Sequence, residues 1–359
     1  MRLQRGNGFT PPSPSTILAS APSLAEVTKT ISSLPPDKST GVDGLSNRML
    51  QAKSATFQHL LHFLISAIWE LEVYPKSWQT ALVIPIYKGN GQPKDDPASY
   101  RGIYLTCHVT KLFESLLMSR ITAHMSAHGS ATPHQFAQAG YQAHDAIYNL
   151  IGTAPNHKTQ HNEPTHCAFI DFETAYPSVH RDRLSCLSFA AGFWGKIWRL
   201  IRTSYHNVFV RVLHLCIPAS SREEILRGIP EGSKLSPPLF NLFVAELLSE
   251  LCDRFPLDTT WTREGRTWVG ALAFVDDIVL VSRNPYELQA MLNFCQEWCE
   301  CSRMQINVAK PIQCPSSPIQ PQLNFNGIST IAFPPHVAAH FRKLPALNTW
   351  VSLSTKPYP

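Results

Sequence analysis

Two aspartates, Asp276 and Asp277, stand side by side in the run ALAFVDDIVLVS (271–282), whose other residues are apolar apart from the closing serine. Adjacent carboxylates repel each other, and burying either one unpaired is unfavourable. A second apolar run, THCAFIDF (165–172), carries Asp171 near its end. A strand and a neighbouring hairpin can bring the three carboxylates together, and such a cluster requires compensating positive charge. A hard divalent cation supplies that charge through oxygen ligands. Two such cations about 4 Å apart are the device of in-line phosphoryl transfer, one serving the attacking oxygen and the other the leaving group. An isolated Asp-Asp pair usually marks a solvated turn, so the rest of the chain must decide. The cluster CQEWCEC (295–301) offers a different chemistry, with Cys295, Cys299 and Cys301 as zinc ligands. No paired Cys/His knuckle completes such a site, and packing of a helix face around Trp298 is the preferred account.

The elements that would hold these groups follow from the hydrophobic pattern. The chain has 359 residues, 44% hydrophobic and 16% charged, with a net charge of +5. That length suits two packed subdomains, and mild basicity permits a polyanionic partner without requiring one. Residues 1–22 are rich in Pro, Ser and Gly and read as a flexible lead, without the apolar run of a signal peptide. No stretch is long enough for a membrane span, and the nine scattered cysteines then read as reduced thiols of an intracellular protein. SLAEVTKTISSL (23–34) has helical spacing, with Ser23 as N-cap and Glu26 three residues on. FQHLLHFLISAIWELEVYP (57–75) is an amphipathic helix that Pro75 should stop. A strand at 80–88, a loop at 89–100 and a helix at 110–125 follow, then a shorter helix near 144–151 and a buried strand at 165–172. Beyond them come helices near 181–205, a strand at 208–217, an irregular stretch at 223–229 and a long apolar helix at 236–255. Two strands meet at a turn within 268–282, followed by a helix at 285–303 and a short strand, MQIN, at 304–307. Strands lie between helices without the regular alternation of a parallel α/β sheet, so α+β is the expected class.

RGIPEGSKLSPPLFNLF (227–243), a glycine-proline loop running into a helix, lies between the two aspartate strands and resembles motif B of reverse transcriptases. AFIDFETAYPSVHRDRL (168–184) looks like their motif A, and ALAFVDDIVLVS like motif C. KSTGVDGLSNRML (38–50) and residues 77–121 are similar to N-terminal blocks of the non-LTR retrotransposon, or LINE-type, branch. QFAQAGYQAHDAIYNL (135–150) aligns loosely with the next block. LQAMLNFCQEWCECSRMQINVAK (288–310) matches motif D with its N-x-x-K ending, and LNFNG (323–327) follows. The resemblance runs in one consistent order over residues 23–330. On it the chain is identified as a reverse transcriptase domain, an RNA-directed DNA polymerase of a non-LTR retrotransposon.

The resemblance implies a right-hand polymerase: N-terminal helices and fingers over 23–160, a palm built on an antiparallel sheet over 161–310, and a Pro-rich tail, 311–359, where the thumb would stand. It implies that Asp171 and Asp276 bind two Mg²⁺ ions, with Mn²⁺ as a substitute, and that Asp277 completes the cluster. A primer 3′-hydroxyl would attack the α-phosphate of a deoxynucleotide. The backbone from Phe172 to Ala175 would line the triphosphate, and Tyr176 would be the steric gate against a ribose 2′-hydroxyl. Lys88 and Arg101 would grip the triphosphate oxygens, Arg in bidentate fashion. Glu231 and Gly232 would lie near the nucleotide, and Lys310 would donate a proton to pyrophosphate. RNA template, DNA primer and dNTPs are the implied partners, no membrane is among them, and the oligomeric state is not readable. Action on chromosomal DNA would place the protein in the nucleus.

Several positions depart from the family pattern. Glu231 stands where the family has glutamine; an ionised Glu cannot donate a hydrogen bond and adds negative charge beside a triphosphate. Thr174 replaces the motif A lysine, Pro177 its second aspartate, and AQA (137–139) the expected G-F-R, while Gly102 stands in place of the commoner proline. After about residue 331 the expected K-Y-L-G segment is not found, nor are a thumb, an endonuclease or a Cys/His finger, as in a truncated or decayed element copy. A second reading is therefore carried: a catalytically inactive remnant, at most an RNA-binding or protein-interaction module.

Overall fold

The serine and glutamate at the head of the Leu24–Ser33 helix form the reciprocal pair that their spacing predicts. The computed structural model describes residues 16–52, 54–89, 91–128, 132–138, 140–150, 166–213, 219–256, 259–262 and 265–307. In it the Glu26 amide donates to Ser23 Oγ at 3.2 Å and the Ser23 amide donates to Glu26 Oε2 at 2.8 Å. The same carboxylate accepts Nε and Nη2 of the buried Arg120 at 3.2 and 3.0 Å, and that guanidinium lies over the Trp69 ring at 5.0 Å. Burial would raise the Glu26 pKa, but the Ser23 amide and Arg120 outweigh it and hold the carboxyl below its ordinary range.

In chain order the elements begin with α1 (Thr16–Ala19), α2 (Leu24–Ser33), α3 (Asn47–Leu50) and α4 (Ala55–Leu71). Next are β1 (Thr80–Tyr87), β2 (Tyr100–Leu105), α5 (His108–His128), α6 (143–150), β3 (His166–Ile170) and α7 (Ala175–Ser178). Then come α8 (Arg181–Ala190), α9 (Lys196–Ser204), β4 (Val208–Val212), β5 (Glu223–Ile225) and α10 (Ser236–Arg254). The last are β6 (Thr259–Thr262), β7 (Gly265–Trp268), β8 (Ala271–Phe274), β9 (Asp277–Ser282) and α11 (Pro285–Ser302). The chain divides into two units, each drawn from two stretches: Met1–Ala131 with Val179–Phe243, and Thr132–Ser178 with Val244–Pro359.

The first unit holds the sheet β2-β1-β4-β5. β1 runs antiparallel to β2, from Leu82↔Leu105 to Tyr87↔Tyr100, and parallel to β4 from Thr80↔Phe209. α2 packs on α4 and α5, and α1 on α5 and α9. Val27, Ile31, Ile65, Trp69, Leu112 and Leu117 are buried there. Tyr74, Trp78 and Phe113 add a ring cluster with centroids 5.5 to 6.3 Å apart. Several elements of this unit differ from expectation, among them β5, a strand in the stretch read as irregular, and β4, which ends at Val212. α4 ends at Leu71, before Pro75, because Glu72 turns into the left-handed region (φ 56) and caps it. β2 is a strand although its Arg-Gly pair interrupts the apolar alternation; its pairing to β1 supplies the hydrogen bonds that local pattern does not promise. The KSTGVDGLSN block (38–47) docks on residues 106–108. A Cβ on Gly41 would stand 2.5 Å from the Thr106 carbonyl oxygen, so only glycine permits that approach. Buried His108 joins the side chain of Asn47 and, at 2.9 Å, the Ser39 carbonyl.

The second unit holds the antiparallel sheet β3-β9-β8. Phe136, Leu272, Val279 and Val281 form a buried cluster, with Ala146 and Leu150 of α6 and Cys167 and Phe169 of β3 packed against it. Ala168, Ile170, Ile278 and Leu280, of opposite strand parity, are buried as well. α11 packs on β9 and β3, with Leu288, Leu292, Cys295, Trp298 and Cys299 buried. Burial of both parities explains why these strands read as continuous apolar runs. Cys295 and Cys299 are thus core residues around Trp298, as expected, and burial pushes the Cys299 thiol up to about 12; Cys301 is exposed. MQIN, expected as a short strand, makes only an isolated bridge, Phe172↔Ile306, and β6 and β7 pair as a hairpin that the sequence pattern does not signal. The described residues therefore form a mixed α and β structure whose sheets are mostly antiparallel. No described helix is long and apolar enough to cross a membrane.

Candidate active site

In the second unit the strand register sets the carboxylates. Ile170, the last residue of β3, pairs with Ile278, and Asp277 pairs with Phe274 across the β8-β9 turn. Continuing the β3-β9 register by one residue sets Asp171 opposite Asp277, on the same side of the sheet. Asp276 precedes Asp277 within the two-residue turn. All three are half-buried. Asn307 Nδ2 donates to Asp171 Oδ2 at 3.1 Å, and the Asn307 amide donates to the Asp171 carbonyl at 2.8 Å. Three hard oxygen donors at one end of a sheet suit a divalent cation in chemistry. Among the described residues, no group of three or more His, Cys, Asp or Glu side chains stands close enough to hold one.

The backbone beside these aspartates is strained. Thr174, three residues after Asp171, has φ 45, and Val275, immediately before Asp276, has φ 59. Both are β-branched, for which positive φ is a genuine outlier costing about 1–3 kcal/mol. Phe172 and Ala175 are buried, so only their backbone can face a ligand; Phe172 packs 6.4 Å from the Trp298 ring, and Tyr176 is half-buried in α7.

In the first unit Glu231, Lys88 and Arg101 share one electrostatic neighbourhood. Burial raises the Glu231 pKa, while Arg101 and then Lys88 pull it back. Lys88 and Arg101 are exposed, and Lys88 Nζ donates to the Ala98 carbonyl at 2.8 Å. Glu231 also helps to raise the Tyr104 pKa, after burial. Gly232 has φ 98, and a Cβ there would stand 3.0 Å from the Tyr104 carbonyl oxygen, so glycine serves both the turn and the approach to β2. The loop is anchored at both ends. Arg181 Nε donates to the Gly228 carbonyl at 2.7 Å, and the Lys234 amide donates to Glu114 Oε2 at 2.9 Å. Glu114 also accepts the Tyr74 hydroxyl at 3.3 Å, and its burial raises its pKa.

These features lie within a recognisable sequence family: the profile described as "Reverse transcriptase (RNA-dependent DNA polymerase)" matches residues 92–323. The chain belongs to the reverse transcriptase family. Relatives include the "Probable RNA-directed DNA polymerase from transposon BS" of Drosophila melanogaster, 27% identical over 80% of this chain and 31% of that protein. The "RNA-directed DNA polymerase from mobile element jockey" of the same species is 24% identical over 81% of this chain and 31% of its own length. This reverse transcriptase domain thus spans about a third of the length of the curated relatives it matches. Among solved structures, apo telomerase from Candida tropicalis aligns with a TM-score of 0.49 and 10% identity, over 69% of this chain and 54% of that one.

The sequence-predicted residues therefore fall into two groups, Asp171, Asp276 and Asp277 with Phe172, Ala175 and Tyr176 in one unit, and Lys88, Arg101, Glu231 and Gly232 in the other. Lys310 lies outside the described residues. Neither Asn307, three residues before Lys310 in the same N-x-x-K ending, nor Gln135, the first residue of the block at 135–150, carries a local sequence signal for its contact with the aspartate strands.

Proposed function

We propose that this domain is an RNA-directed DNA polymerase, extending a primer 3′-hydroxyl with deoxynucleotides along an RNA template. The antiparallel register that ends at Ile170↔Ile278, one residue short of Asp171 and Asp277, in a chain of this family, is the observation that carries the reading. Asp171, Asp276 and Asp277 would hold Mg²⁺, or Mn²⁺ in its place, a role that requires the three carboxylates to draw closer together than they stand in the structure. Such ions, when bound, neutralise the charge that develops on the reacting phosphate. The chain's own contribution is positioning. Asn307 holds one Asp171 oxygen and thereby orients the carboxylate. The backbone from Phe172 to Ala175 lines the triphosphate, and the Tyr176 ring excludes a 2′-hydroxyl. Lys88 and Arg101 bind triphosphate oxygens, and Lys310 protonates the leaving pyrophosphate. Residues 23–160 would be the fingers and 161–310 the palm.

One observation favours the second reading. Glu231 shares the neighbourhood of Arg101 and Lys88 and, when ionised, competes with a triphosphate for them. A chain in which that competition wins would bind RNA without extending a primer. The test is extension of a primed RNA template by purified protein with dNTPs and Mg²⁺ or Mn²⁺, beside an Asp276→Ala control. Product from the wild type alone establishes polymerisation. Equal signals from the two reject it.

A further inference from the structure

We infer that Gln135 is a positioning residue, a clamp that holds Val275 in its left-handed conformation and so sets how Asp276 is presented; its catalytic consequence rests on the reading above. Gln135 is 2% exposed and reaches the hairpin across a separation of 140 residues. Its Oε1 accepts the Val275 amide at 2.9 Å, and its Nε2 donates to the Val275 carbonyl at 3.1 Å. Both backbone polar groups of one residue are therefore taken by one side chain. Oε1 also accepts the Ala137 amide at 3.0 Å, so two amide donors fix the orientation of the carboxamide. The side chain is brought there by its own backbone. Ala273 donates to the His134 carbonyl at 2.8 Å, Phe136 donates to the Ala273 carbonyl at 2.7 Å, and Gln135 forms a parallel bridge with Ala273.

The chemistry of the clamp is specific. Among uncharged side chains of this length, a carboxamide accepts and donates at once; an ionised Glu in its place would turn an acceptor toward the carbonyl. The clamped residue is also the one that needs holding. Val275 has φ 59 in a two-residue hairpin turn whose second residue is Asp276, a position that glycine normally fills. A valine left to relax toward negative φ would rotate the following peptide and carry Asp276 with it. Misplacing a reacting group by an ångström costs about a hundredfold in rate.

The test is a double-mutant cycle in the full chain. Gln135→Met keeps the volume and removes both hydrogen bonds, and Val275→Gly removes the left-handed strain that they hold in place. Metal-free thermal midpoints and the kcat and KM of primer extension are measured for the wild type, both single variants and the double. We expect Gln135→Met to lower the midpoint by about 3 °C or more, and by less than half as much when Val275 is glycine. We expect it to lower kcat about tenfold or more with little change in the dNTP KM, and Val275→Gly to recover most of that loss. An equal midpoint loss in both backgrounds overturns the clamp. Coupled midpoints with an unchanged kcat, or a kcat loss that Val275→Gly leaves intact, overturn the positioning role. If the wild type extends no more primer than Asp276→Ala, it is the polymerase reading that fails, and the midpoints still decide the clamp.

Discussion

Under the proposed reading, Glu231 makes nucleotide binding sensitive to pH. Its carboxyl titrates above the ordinary range because it is half-buried, with Arg101 and then Lys88 opposing that shift. An acid raised in this way stays protonated in the folded chain over a window where it would be ionised in water. The stability it lends is present at low pH and lost as pH rises through the folded pKa. Within that window the neutral group carries an O–H donor, as glutamine would carry N–H; above it, the group is acceptor-only and negative. The wild-type KM for dNTP should therefore rise with pH, and Glu231→Gln should lower KM and flatten the profile. A profile that the substitution leaves unchanged rejects this role for Glu231. At this scale Asp171, Asp276 and Asp277 were legible because carboxylates in apolar runs are conspicuous and the order of motifs gives them a setting. Gln135 and Asn307 were not: a carboxamide that clamps a turn 140 residues away has no local pattern, and neither has the strain at Val275 that it matches.

The loop 227–236 shows how elements hold the residues in place. Arg181 fixes it at the Gly228 carbonyl, and Glu114, buried in α5, accepts the Lys234 amide and the Tyr74 hydroxyl. Glu114→Ala would leave one buried and one part-buried donor without that acceptor, a cost of about 2 kcal/mol. Urea unfolding measures it, and a loss below about 1 kcal/mol would contradict the anchoring role. Helices such as α2, α5, α10 and α11 could be read from the chain because each is a long run of apolar and helix-compatible residues without an internal breaker, so packing and local preference agree in them. β2 could not, because Arg101 and Gly102 break its alternation and its partner β1 makes it a strand. The end of α4 was misplaced because proline is the visible stop, whereas Glu72 adopts a left-handed cap three residues earlier. The β6-β7 hairpin, TTWT and GRTW, is too short and polar to announce itself.

At the scale of the molecule, each unit is assembled from stretches that are not consecutive, so neither could be delimited by reading along the chain. The α+β character survives that rearrangement because it depends on the order and type of elements alone. The register of β3 with β9 is the long-range fact on which the account depends, since its last pair, Ile170↔Ile278, brings together the strand ends that carry Asp171 and Asp277. The most direct measurement is Mn²⁺ binding followed by electron paramagnetic resonance, for the wild type and for Asp171→Asn, Asp276→Asn and Asp277→Asn. The account predicts that the wild type binds Mn²⁺ and that each substitution weakens binding by more than about tenfold, the least that loss of even an outer partner of a metal ligand commonly causes. Wild-type affinity in any one of the three variants would contradict it.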